Sequence, residues 1–283
     1  MVFIALLLVF FVTVIIFIAA FFYVSSIIAT PPKGRAIDFN DQDYSKTGRV
    51  IACIGDSLTH GNIGVCWVEQ IREQFPSDVF LNEGINGDVV WQVHQRLEPI
   101  VKCKPDIAII MIGSNDAMAS FNKNSAERYK KNGNLPEAPT FENYQKLLSE
   151  LIDHLSAIPK IALCTLPPVG EYQDSSINKH ISKFNDFIVV TAKEKNISLL
   201  PVSNSLWDEL KIRTYPLKRD YDPKLIPVLR RIYGGAMHHY ILKKSWDKVA
   251  ESKGQWLLFD QIHLGERGAN IIYKLVKKYI ASS

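Results

Sequence analysis

Cysteine is scarce in this sequence. Four residues in 283 cannot build a disulfide-dense scaffold. Cys66 and Cys103 lack the spacing of a zinc site, and Cys53 and Cys164 sit inside apolar runs, as buried free thiols do. No Walker loop and no dinucleotide fingerprint occurs, so no nucleotide cofactor is indicated. No Gly-x-Ser-x-Gly elbow occurs either, which excludes the lipase architecture built on that turn. The net charge is +4 with both signs well represented, which is not the footprint of a dedicated nucleic-acid binder. Residues 1–29 contain no Asp, Glu, Lys or Arg at all.

That last absence dominates the chain's composition. In residues 1–29 only Thr13, Ser25 and Ser26 are not apolar. Outside this run the apolar content falls from 47% to about 42%, an ordinary value for a water-exposed domain. A bilayer core about 30 Å thick takes about 20 apolar residues as a helix, so the run is long enough to span with tilt. A cleaved signal peptide, cut near Val24-Ser25-Ser26, is the rival reading. No basic residue precedes the run, and it is about twice a usual signal core of roughly 7–15 residues. Both features favour an uncleaved anchor. Pro31-Pro32 stops the helix, and a polar linker is expected over 30–48. Lys33 and Arg35 favour a cytoplasmic domain, but Asp38, Asp41 and Asp43 follow them and leave the side open.

From residue 49 onward, short apolar runs alternate with helical periods. Strands are expected at 50–54, 79–81, 106–112, 161–165 and 198–202. Phe141, Tyr144, Leu148, Leu151 and Ile152 recur at helical steps, as do Ile272, Val276 and Ile280. Such alternation predicts an α/β fold with a parallel sheet between two helical layers. Ligands on such sheets bind beyond the carboxyl ends of the strands. Residues 117–140 read as a polar loop. Residues 203–258 exceed one connection and carry 11 Lys/Arg against 6 Asp/Glu, with Trp207, Tyr215, Tyr221, Tyr233, Tyr240, Trp246 and Trp256 among them. This insertion reads as an added helical lobe with a solvated basic face, or as a lid that meets lipid.

Four loops carry the chemical signal. After the first strand comes Gly55-Asp56-Ser57-Leu58, where a serine at the mouth of a sheet can present its hydroxyl to a ligand. After the second come Asn82 to Asp88, with Gly84 and Gly87. After the third comes Gly113-Ser114-Asn115-Asp116, whose Asn amide is a donor that never deprotonates. Before the last helix stands Asp260-Gln261-Ile262-His263, a carboxylate and an imidazole three residues apart. Each motif alone is ordinary turn or cap chemistry.

Together and in this order they resemble the four blocks of the GDSL/SGNH hydrolase family, over about residues 49–283. The resemblance implies a three-layer α/β/α, flavodoxin-like fold and ester hydrolysis without metal or cofactor. It implies Ser57 as nucleophile, His263 as general base and Asp260 as its orienter. The oxyanion hole would be the Ser57 and Gly87 N–H groups and the Asn115 side chain, with Gly87 preferred to Gly84 on spacing. The expected substrate is a lipid or other small-molecule ester. The alternatives are O-acetyl esters of glycans, or a non-catalytic binding protein on the same fold. His60, close to Ser57, is expected to stand outside the catalytic set, and His238-His239 not to bind metal. Asp56, Asp88 and Asp116 are expected to fix loops as hydrogen-bond acceptors.

Overall fold

The computed structural model describes residues 2–39 and 48–283. Its sheet comprises β1 (Val50–Gly55), β2 (Val79–Gly84), β3 (Ile107–Met111), β4 (Lys160–Cys164) and β5 (Ser198–Leu200). All pair in parallel in the order β2-β1-β3-β4-β5, the doubly wound order of flavodoxin-like folds. Each strand falls on one of the five apolar runs, with ends shifted by at most three residues. The largest shift is in β2, which continues through Asn82-Glu83-Gly84 against Cys53, Ile54 and Gly55 of β1. Those polar residues read as loop in the sequence. They fit a buried strand because both side chains find partners there.

The strands alternate their side chains between two apolar layers. Ala52, Ile54, Ala108 and Ile110 pack against the helices Val90–His94, Leu97–Lys102, Phe141–His154 and Ser176–Glu194. Ile51, Cys53, Ile107 and Ile109 pack against Trp67–Gln74, Val202–Leu210 and Glu266–Ala281. The result is a three-layer α/β/α sandwich. Each fully buried aliphatic side chain contributes about 1.5–3 kcal/mol relative to exposure, which is why β1 and β3 are apolar on both faces. Cys53 and Cys164 are buried free thiols.

Residues 117–140 depart from the loop expectation. Helices run over Ser114–Ser120 and Lys123–Asn132. The second begins where the Asn122 side chain accepts the Ser125 N–H. It has little apolar surface to betray it, and docks largely through Tyr129. The 203–258 region contains the helices Leu225–Tyr240 and Trp246–Ser252.

The apolar run forms one helix, Val2–Ala29, long and apolar enough to cross a membrane. Among the described residues, only its last turns touch the rest of the chain. Val24 is fully buried with Ile63, Ala236, Trp246, Val249 and Phe259. Phe21 stacks on Tyr233 at 4.9 Å. The Asn62 amide donates to the carbonyls of Ile27 and Ile28, each at 2.9 Å, and the Asn86 amide donates to Ile28 at 2.9 Å. Helix ends leave carbonyls without internal partners, and these two asparagines satisfy them. Arg35 then forks onto Glu83 at 3.0 and 2.8 Å. The first part of the expected linker therefore lies on the domain. Its remainder, with Asp41 and Asp43, falls outside the described residues.

Candidate active site

The four loops converge at the carboxyl end of the sheet. Ser57 opens a one-turn helix directly after β1. Asp56 caps that turn by accepting the Leu58 N–H at 2.9 Å, and the Trp67 indole holds the Leu58 carbonyl at 3.0 Å. Ser57 Oγ lies 2.9 Å from His263 Nε2, and His263 Nδ1 lies 2.7 Å from Asp260 Oδ2. A carboxylate only accepts, so Nδ1 carries the proton shared with Asp260. Nε2 of the neutral ring is then free to accept the serine proton.

The segment around His263 is held in several ways. Asp260 Oδ1 accepts the N–H groups of Ile262 (2.9 Å) and His263 (2.7 Å). Gln261 adopts φ +76°, and its amide donates to the carbonyls of Arg219 and Asp220. That left-handed residue lets the chain fold back so that Asp260 and His263 meet; such strain costs on the order of 1–3 kcal/mol. Burial alone would raise the Asp260 pKa, but the adjoining His263 and the two N–H groups hold it below the usual carboxylate value.

The two glycines after β2 differ sharply. At Gly84 a Cβ would lie 2.1 Å from the His60 nitrogen, so this residue is sealed against backbone. Gly87 has φ +83° and nothing within 4 Å of where a Cβ would stand, so the space beside it is open. It lines a cavity of about 280 Å³ together with Asn86, Gln92, Arg128, Tyr129 and Leu225. The Asn115 side chain donates to the Asp88 carbonyl at 3.0 Å and accepts from the Tyr129 hydroxyl at 2.8 Å. Its orientation is thereby set, and its amide nitrogen has a second hydrogen beyond the one given to Asp88. A larger cavity, about 610 Å³, lies at the opposite end of the sheet beside Lys160 and Ser198.

Asp56, Asp88 and Asp116 all act as acceptors. The Asp116 carboxylate takes the Val90 N–H, and Asp88 takes Arg96 at 3.0 Å. Burial pushes Asp56 up to about 7 and Asp116 up to about 8, and the crowding of these carboxylates adds to it. His60 is buried, and that burial lowers it to about 4. No hydrogen bond joins it to Ser57. His239 stacks on Trp246 at 4.0 Å and binds the Lys244 carbonyl. Among the described residues no group of three His, Cys, Asp or Glu side chains is placed to hold a metal ion.

Three supporting residues escaped the sequence reading. Arg96 links Asp88, Glu83 and the Gly55 carbonyl, and so ties the loops after β1 and β2 together. Tyr129 orients Asn115. Glu171, buried after Pro167-Pro168-Val169-Gly170, accepts the N–H groups of Trp256, Leu257 and Leu258 and pairs with Arg213 at 3.1 Å. It anchors the strand-like approach to Asp260. A charged residue next to a Pro-Pro-Val-Gly turn was the available signal, but its partners lie more than forty residues away.

A doubly wound sheet with a Ser–His–Asp hydrogen-bonded chain at its carboxyl end describes an SGNH-type hydrolase. The chain belongs to the GDSL-like lipase/acylhydrolase family, whose model matches residues 53–271. It is a carboxylic ester hydrolase, and its substrate is a small-molecule ester. Among solved structures it is similar to Axe2, an acetylxylan esterase from Geobacillus stearothermophilus, at 18% identity and a TM-score of 0.57 over 83% of this chain and 96% of that one. A catalytic mutant of Axe2 gives 17% and 0.58 over the same shares. LAE5, an alpha/beta hydrolase enzyme from the metagenome of Lake Arreo, Spain, gives 18% and 0.55 over 81% and 93%. At these identities the likeness is one of fold. No curated protein matches the sequence.

Proposed function

We propose that the protein is a membrane-anchored serine esterase that hydrolyses lipid esters through an acyl-enzyme on Ser57. The observation that carries this reading is the unbroken Ser57–His263–Asp260 hydrogen-bond chain. His263 takes the Ser57 proton as Oγ attacks the ester carbonyl, while Asp260 holds the ring and stabilises the imidazolium. The negative oxygen of the tetrahedral intermediate is met by the N–H groups of Ser57 and Gly87 and by the Asn115 amide. His263 returns the proton to the leaving alcohol. Water then attacks the acyl group with the same base, and Ser57 is restored.

The anchor supports the lipid half of the reading. Its docked last turns, with carbonyls capped by Asn62 and Asn86, are part of the folded domain, which a cleaved leader would not be. Tethering to a bilayer raises the effective concentration of lipid esters. A second reading, deacetylation of a carbohydrate, is supported by the polar lining of the cavity at Gly87 (Asn86, Gln92, Arg128) and by the acetylxylan esterases of like fold.

A fluorophosphonate probe should label the full chain and fail to label Ser57→Ala, whose fold is unchanged by circular dichroism. Labelling that survives the substitution would sink the nucleophile assignment. The wild-type chain in nanodiscs should release fatty acid from lysophosphatidylcholine faster than acetate from acetylated xylo-oligosaccharide. The reverse order would replace the lipid reading with the carbohydrate one.

A further inference from the structure

The helix Leu225–Tyr240 has two faces. Val228, Arg231 and Gly235 turn toward the hydrolase body: Arg231 donates to the Asp260 carbonyl at 3.2 Å, and Gly235 abuts Phe259. By helical spacing, Ile226, Leu229, Tyr233, Met237 and Tyr240 share the other face. The second half of that stripe is covered by the N-terminal helix, through Phe21 on Tyr233 and Ser25 on the Tyr233 hydroxyl. The first half is bare: Ile226 is 78% exposed, and Leu225 and Leu229 are each 43% exposed. Just past the helix, Ile241 and Leu242 are exposed as well.

The docked turns fix the depth at which these two helices meet. Ahead of them residues 2–21, at 1.5 Å each, span about 30 Å, enough to cross a hydrocarbon core. The turns from Phe21 onward dock on the domain. Phe21 and Tyr233 therefore meet at the boundary between acyl chains and headgroups. Charge agrees with this depth: from Lys224 to Trp246 there are five Lys or Arg residues and no Asp or Glu. Lys224, Arg230, Lys243 and Lys244 flank the exposed apolar residues, where their stems can lie on acyl chains and their charges on phosphate.

From this placement we infer that the helix Leu225–Tyr240 is an interfacial membrane helix, with Leu225, Ile226 and Leu229 sunk into the leaflet from which the N-terminal helix emerges. The occupant of the bare stripe is phospholipid. Leu225 also lines the cavity at Gly87, so the stripe brings that cavity to the headgroup layer. The inference rests on the anchor reading above.

Nitroxide labels on the full chain in phosphatidylcholine–phosphatidylserine nanodiscs test it. Cys66→Ser removes the one half-buried thiol, and labels go at Ile226→Cys, Leu229→Cys, Phe11→Cys and Val190→Cys. Val190 is an exposed residue near the far end of the sheet. Labels at 226 and 229 should be shielded from a water-soluble nickel chelate about fivefold or more relative to 190, and open to oxygen. A shielded label at 11 with labels at 226 and 229 as accessible as 190 would overturn the inference and leave the anchor standing. A nickel-accessible label at 11 would overturn both.

Discussion

Two sets of buried carboxylates lie at the same end of the sheet and behave in opposite ways. Asp260 is enclosed by protein, yet its pKa lies below the ordinary value. Asp116 and Asp56 are as deeply enclosed, and theirs rise to about 8 and about 7. Burial disfavours the charged form in all three. The difference lies in the partners: Asp260 is hydrogen-bonded to an imidazole and two N–H groups, whereas Asp116 takes only the Val90 N–H and Asp56 the Leu58 N–H, with His263 a lesser influence on Asp56 and neighbouring carboxylates raising both. Burial sets the cost of ionising, and the partner decides whether the group ionises. The protein thus keeps one fixed anion beside His263 and keeps its loop-fixing acids partly protonated near neutrality.

The strongest way to break this contrast is to neutralise the ionised member. Asp260→Asn opposes an amide N–H to the His263 ring and favours the wrong tautomer. Turnover of a soluble short-chain ester such as p-nitrophenyl acetate should fall roughly 10⁴-fold, with the fold retained by circular dichroism. A loss under tenfold would mean that Asp260 does not orient the base.

The neutral polar group of the proposed oxyanion hole comes next. Asn115→Ala removes a proposed oxyanion donor and should lower kcat about 10²–10³-fold with little change in KM. Tyr129→Phe leaves Asn115 in place but removes one hydrogen bond, worth about 0.5–1.5 kcal/mol, so kcat should drop about tenfold or less. Equal losses for the two variants would mean that Tyr129 does more than hold the amide.

The smallest effect sharpens the raised side. An unfolded Asp ionises near ~4, whereas Asp116 in the folded chain holds its proton to about 8. The stabilisation from that proton is complete below the unfolded pKa and is lost as pH rises through the folded one. Asp260, being lowered, contributes with the opposite sign and loses its contribution only in acid. His60, lowered to about 4, gives the opposite slope below about pH 6.5, so Tm should decline from pH 7 to pH 9, and Asp116→Asn should flatten that decline. A variant whose Tm profile parallels the wild type would refute the raised pKa.

Much of this was legible in the residues. The five apolar runs located the strands because buried parallel strands must be apolar on both faces. Ser57, Gly87, Asn115, Asp260 and His263 were legible as candidates because each sits in a short motif at a strand end or helix entrance. The helix Lys123–Asn132 was not, since it buries little more than Tyr129 and shows no apolar stripe. Asn82 and Glu83 read as loop because strand propensity sees their polarity and not their partners. Gln261 passed unnoticed because nothing local announces a left-handed residue.

The order of elements, the apolar helix Val2–Ala29 and the types of residue at the site came from the sequence by itself, because each depends on neighbours within a few positions. The tertiary structure alone decided that Ser57 and His263, 206 residues apart, come within 2.9 Å. It alone seated the end of the apolar helix on Asn62, Asn86 and Tyr233. It also gave chemically identical carboxylates opposite pKa shifts. Hydrogen bonds and desolvation depend on which groups meet in space, and that is settled only when the chain has closed on itself.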